Sequence, residues 1–168
     1  MREIRMPAAG GPAVLRLVLA GALLAASLLV GLGFASSKAD AAGGWCPGRL
    51  IESRNLVVNH HKVGELDVYY NAATGRDCAR MNHAGRTWGK RHLTRVWIGI
   101  CSERRPGSNV CHYNSRTDAV NKGRYRFYAG PVTTKASARG HCIAASGYLW
   151  LRGVRHAVGT SPWVGHCG

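Results

Sequence analysis

Histidine is the side chain best suited to proton chemistry near neutral pH, and all eight histidines of this chain lie at or beyond residue 60. His60 and His61, with Lys62 and Glu65 close behind, bring an acid, a base and a cation into one short stretch. General acid–base cleavage of RNA uses such a set. The competing reading is that histidines of a basic domain are solvated surface groups, and geometry separates the two. The chain has no Gly-x-Ser-x-Gly elbow and no His-Glu-x-x-His pair. Beyond residue 41 the carboxylates are Glu52, Glu65, Asp67, Asp77, Glu103 and Asp118, which show no glycosidase-like pairing along the sequence. The segment from Cys101 to Cys111 exposes Arg104 and Arg105. Braced by a disulfide, it suits a protease-inhibitor loop, because bracing lowers the entropy lost on binding. Pro106 hinders cleavage after Arg105, so Arg104 is the better reactive residue; the competing reading is a tight turn with solvated arginines. Trp88, Trp97, Tyr125, Phe127, Tyr128, Trp150 and Trp163 interleave with arginines, as base- or sugar-stacking platforms do, although a small β domain also needs such residues for its core. From these patterns we assign no catalytic residue, no metal ligand and no cofactor.

Charge is a firmer guide. Residues 42–168 hold 19 of the 23 basic and 6 of the 8 acidic residues, a formal +13 with histidine neutral. Such a protein adheres to polyanions by steering and counterion release. Outside a cell these are cell-wall or spore-surface polymers, anionic lipid headgroups or extracellular DNA, the last bound without sequence preference. The residues expected to carry this binding are Arg86, Lys90, Arg91, Arg95, Arg104, Arg105, Arg124 and Arg126. They are scattered along the sequence, and whether they share a surface is a question for the fold.

The elements that position them begin after a leader. Arg2 and Arg5 precede the apolar run Val14–Phe34, and Ala39-Asp40-Ala41 supplies a small-x-small cleavage site. Residues 1–41 are therefore expected to be a secretory signal, leaving 42–168 as one domain with no membrane span. All six cysteines (Cys46, Cys78, Cys101, Cys111, Cys142, Cys167) lie in that domain, and three have a histidine neighbour. No Cys-x-x-Cys pair exists and the expected compartment is oxidising, so three disulfides are favoured over a metal site; roughly 15 pairings are open.

Short strands separated by turn residues predict an all-β fold, a small disulfide-stapled antiparallel sandwich or barrel. Leu50–Asn59 reads as a strand, and Leu66–Tyr70 and Arg76–Asn82 form a hairpin about the Asn71–Gly75 turn. Asn82–Arg91 is a basic loop, Arg95–Cys101 a strand, and Val110–Tyr113 its hairpin partner across the turn Arg104–Asn109. Ser115–Lys122 is a polar connector. Arg124–Ala129 alternates as a single strand that Gly130-Pro131 breaks and Val132–Thr134 resumes. A strand then carries Cys142, and Gly147 turns the chain into Tyr148–Leu151.

Tyr128-Ala129-Gly130-Pro131-Val132, Cys142-Ile143 and the closing Ser161-Pro162-Trp163-Val164-Gly165-His166-Cys167-Gly168 carry a resemblance. With Cys46-Pro47-Gly48 and the turn leading to Cys78, they make the chain similar to the spore-associated protein A family of small secreted actinomycete proteins. The resemblance implies an exported, non-enzymatic protein of the spore or cell exterior and carries over no catalytic residue. It also implies four recurrent cysteines, matching Cys46, Cys78, Cys142 and Cys167, with Cys101 and Cys111 as a paired addition. Those two also lie at the ends of one predicted hairpin, which pairs them. Local pairing of the rest gives Cys46–Cys78 and Cys142–Cys167.

Overall fold

The structure is a computed structural model and describes residues 45–168; the leader expected over residues 1–41 lies outside the described residues. Eight strands form: β1 (Arg49–Val58), β2 (His61–Asn71), β3 (Arg76–His83), β4 (His92–Ile100), β5 (Ala119–Tyr125), β6 (Tyr128–Thr133), β7 (Ile143–Leu151) and β8 (Val154–Gly159). One 3-10 turn, Gly85–Thr87, sits between β3 and β4. The strands make two antiparallel sheets, β1-β2-β3-β6 (sheet A) and β5-β4-β7-β8 (sheet B). The sheets stack face to face as a sandwich, not a closed barrel.

Alternation explains the stacking. Leu66 and Val68 of β2, Ala79 and Met81 of β3, Val96 and Ile98 of β4, and Ile143, Ala145 and Leu149 of β7 turn inward and are fully buried. Each large side chain removed from water stabilises the fold by about 1.5–3 kcal/mol. Trp97 points the other way and is still buried, because Tyr113 meets it at 5.0 Å, Trp163 stacks at 6.1 Å and Asp118 accepts from its indole N–H at 2.9 Å. A second, smaller core with Cys101, Cys142, Ala144 and Val164 thus covers part of the outer face of sheet B.

Five local expectations give way to the fold. The strand drawn through Arg124–Ala129 is two strands in different sheets, because the chain crosses between sheets at Arg126 and Phe127. Their carbonyls accept from Gly89 N (2.9 Å) and His83 N (2.7 Å), and Phe127 packs on Trp88 at 4.9 Å instead of continuing the inward row. Gly130-Pro131 does not interrupt β6; Pro131 is tolerated because β6 is an edge strand with β3 as its one partner. Gly147 makes no turn but lies inside β7, where a Cβ would stand 2.5 Å from Met81 Sδ. Its role is to let Met81 fill the gap between the sheets. Val110–Tyr113 forms no strand, only a single bridge from Tyr113 to Cys101, while the connector's second half is β5.

Disulfides join Cys46 to Cys78, Cys101 to Cys111 and Cys142 to Cys167, the pairs expected from local pairing, and no cysteine is free. All three stand at the same end of the sandwich, where β2 turns into β3 and β4 and β7 meet at Ile100 and Ile143. Among the described residues no helix is long and apolar enough to cross a membrane.

Candidate polyanion-binding surface

At the end without disulfides, four connections converge. They are the turn after Val58, the loop 84–91, the corner Arg126–Phe127 and the turn at Arg152–Gly153. The loop 84–91 is pinned from beneath. Thr87 is buried and its hydroxyl lies 2.6 Å from Val63 O, and Ala84 N bonds Val63 O at 3.1 Å. His83 lies below, its Nε2 2.8 Å from Thr94 Oγ1 and its Nδ1 3.2 Å from Thr87 O. Burial lowers its pKa, with the Thr87 carbonyl opposing that shift, so it serves as a neutral core histidine. This rigid base holds Arg86, Lys90 and Arg91 exposed beside Trp88 and Phe127, with Arg126 at the neighbouring corner.

Between the sheets at this end opens a cleft of about 340 Å³, lined by Arg86, Lys90, Arg152, His92 and His156 with Leu151 among its apolar contacts. No carboxylate lines it. Among the described residues nothing hydrogen-bonds the buried Nε2 of His92. Three cations around a hollow with no lining carboxylate repel one another, and an anion relieves that repulsion.

The outer face of sheet B continues the same charge. Lys122 of β5 pairs directly with Arg95 of β4, and Arg95 with Tyr148 of β7. Farther along the sheet Arg124 of β5 pairs with Leu93 of β4, and Trp150 of β7 pairs with Arg155 of β8. A directly opposed Lys–Arg pair disfavours the sheet, so folding alone gives no reason for it. Trp150 is 39 % exposed, and the Arg155 guanidinium lies 5.8 Å from the Tyr148 ring. None of the four strands of sheet B contains Asp or Glu.

Acidic residues occupy the rest of the molecule. Glu65 holds Lys62 at 2.7 Å, and Asp67 meets Arg80 at 3.6 Å and bonds Asn82 and Ser53, all from sheet A. Glu103 is paired with His112 and Asp118 with Trp97, in the loop after β4. Of the eight expected binding residues, Arg86, Lys90, Arg91 and Arg126 meet at one end and Arg95 and Arg124 on the adjoining face. Arg104 and Arg105 stand apart, exposed on the disulfide-closed loop at the opposite end. That loop is tied down on both sides, by Cys142 N to Glu103 O and Gly107 N to Val164 O. His60 is exposed on the β1–β2 turn, His61 is exposed at the start of β2, and Glu65 is engaged by Lys62 and Ser53, so that trio does not line the cleft.

Sequence reasoning missed Lys122, Arg152, Arg155, His92 and His156. A signal was present: residues 78–102 and 119–168 contain no Asp or Glu, and these runs build sheet B and the basic end. No protein-family model, no curated protein and no solved structure matches the chain.

Proposed function

We propose that this protein is a secreted adhesin for polyanions, holding anionic cell-wall or spore-exterior polymer through its basic end and the outer face of sheet B. The observation that carries the reading is the segregation of charge: the cleft and the four strands of sheet B lack carboxylates, and Asp118, which reaches the outer face just before β5, is engaged by Trp97. Cations on a rigid sheet and a pinned loop meet a polymer with little ordering cost. Trp88, Phe127 and Trp150 add flat apolar area beside them, suited to the sugar faces of such a polymer. Three disulfides fit an oxidising exterior, and the resemblance to spore-associated proteins agrees with that location. Nucleic acid outside the cell is bound by the same surface without sequence preference.

The test is retention of the purified domain on polyphosphate-coated beads and on isolated wall polymer at rising salt. If about six cations engage, affinity falls by on the order of 10⁵ for a tenfold rise in salt. Retention that is unchanged at about 0.5 M salt counts against charge-driven binding and favours a specific sugar site.

A further inference from the structure

The other mouth of the sandwich holds a different set of groups. Between the sheets at the disulfide end lies a cleft of about 210 Å³, lined by Tyr70, Asp77, Arg139 and His166 together with Ile51 and Ala138. Tyr70 and Asp77 are direct cross-strand partners on the inward face of sheet A. Asp77 is clamped by its backbone, with Thr134 N bonding Asp77 O at 2.9 Å and Thr134 Oγ1 accepting from Asp77 N at 3.2 Å. The residue is 2 % exposed, its carboxyl belongs to the cleft wall, and among the described residues no hydrogen bond or ion pair reaches it. Burial pushes that carboxyl up to about 7, partly opposed by the charge of His166. A carboxyl with a perturbed pKa on a cleft wall and no partner of its own is the kind of group that collects at functional sites.

His166 is held from behind. Its Nε2 lies 2.5 Å from Glu52 Oε2, and the other oxygen of Glu52 accepts from Ser161 N at 2.9 Å. A carboxylate accepting the Nε2 proton leaves Nδ1 as the nitrogen that can take one. The backbone of His166 sits in the left-handed region at φ 49°, although glycine occupies Gly165 and Gly168 nearby. An imidazole is kept where glycine would be unstrained.

An acid that retains its proton near neutrality beside an oriented imidazole is a general acid–base pair. Glu52 is committed to His166 and Ser161, so the cleft holds one free carboxyl and not the pair that glycoside cleavage needs. Cys167 is oxidised and no Ser or Thr lines the cleft, so beyond the Tyr70 phenol the chain offers no nucleophile there, and a substrate that brings its own hydroxyl needs only the acid and base the cleft holds. Arg139 at the rim donates through Nη2 to the carbonyls of Ala72 and Ala73, which fixes its guanidinium, and its remaining N–H groups suit a phosphate oxygen. We infer that this cleft is an active site for phosphodiesters that carry a neighbouring hydroxyl, the linkage of RNA. His166 removes the proton of the 2′-hydroxyl, whose oxygen attacks phosphorus. The P–O5′ bond breaks, and Asp77 gives its proton to the leaving oxygen. The products are a 2′,3′-cyclic phosphate and a free 5′-hydroxyl, with no water, metal or redox partner consumed, and solvent returns the proton from His166 to Asp77. This inference does not rest on the binding surface, with which the cleft shares no residue.

The experiment uses the purified secreted domain and a short oligodeoxynucleotide containing a single ribonucleotide, in a chelator, with products read by mass spectrometry. The wild type should cut at the ribonucleotide to give the cyclic phosphate and leave the all-deoxy control intact. Asp77→Asn and His166→Gln should each slow cleavage by at least about 100-fold. The His60→Asn/His61→Asn variant should cut at the wild-type rate. Asp77→Asn is close in shape to the protonated acid and keeps the fold, so it decides the matter even where His166→Gln unfolds. An intact substrate with the wild type overturns the assignment, as does Asp77→Asn cutting at the wild-type rate.

Discussion

Replacing Asp77 by asparagine should make the protein more stable at alkaline pH and leave it nearly unchanged in acid. The carboxyl of Asp77 is buried between the sheets, and burial raises its pKa from 3.8 to about 7. The folded protein therefore holds this proton more than a thousandfold more tightly than the unfolded chain does, equivalent to about 4 kcal/mol. A raised pKa means the favourable contribution is complete below about 3.8 and is lost as pH climbs through about 7. Above that, the wild type carries a buried charge that no side chain pairs. The amide of the Asp77→Asn variant carries none at any pH. The stability of the variant relative to wild type should then rise from near zero at about pH 4 to about 4 kcal/mol at about pH 8, or roughly 10–15 °C in Tm. Urea and thermal unfolding of both proteins from acid to alkaline pH, with disulfides intact, measures this directly. A stability gap that stays constant across that range, or that closes as pH rises, refutes the argument that burial sets the protonation of Asp77.

The Cys101–Cys111 bridge closes a loop with a separation of 10 residues, against 32 and 25 for the other two. Its chain-entropy contribution is about 2.7 kcal/mol, against about 3.5 for each of the others. Cys101→Ser with Cys111→Ser should still fold cooperatively, with altered tryptophan fluorescence as Tyr113 leaves Trp97, whereas removing Cys142–Cys167 should lower stability further and release the segment carrying His166. Gly147→Ala should cost about 1–3 kcal/mol in urea unfolding, because the new methyl meets Met81 Sδ at 2.5 Å inside a filled core. A neutral outcome there means that Met81 moves freely, against the tight contact described.

Strands were legible wherever one face is buried. The alternation Leu66, Val68 and Val96, Ile98 marks β2 and β4 because water lies on one side and the opposite sheet on the other. The cysteine pairs were legible because each bridge is local in sequence. What was not legible depends on long-range register. The alternation of Arg124 to Ala129 runs unbroken through the corner, and only the bonds from His83 and Gly89 show where the chain changes sheets. Gly147 reads as a turn until Met81 is placed against it. The basic surface was half visible: Arg95 and Arg124 stood out by residue type, but Lys122 reads as part of a connector until β5 places it opposite Arg95, and Arg155 joins them only through pairings that span β4, β7 and β8. Asp77 and His166 are far apart in sequence, and Glu52 orients His166 from β1. No local motif announces such a cleft.

Charge reversal at two places tests the central claim most directly. One variant carries Arg86→Glu, Lys90→Glu and Arg126→Glu at the basic end; the other carries Arg104→Glu, Arg105→Glu and Arg116→Glu on the exposed loop beyond β4, so both lose the same net charge. Binding to polyphosphate is followed as a function of salt, with cooperative unfolding confirming that each variant is folded. The basic-end variant should bind at least about tenfold more weakly, and its log–log salt slope should shrink by about three. The loop variant should stay within about threefold of wild type. Equal losses in the two variants would mean that net charge alone binds the polymer, and would contradict the assignment of this surface.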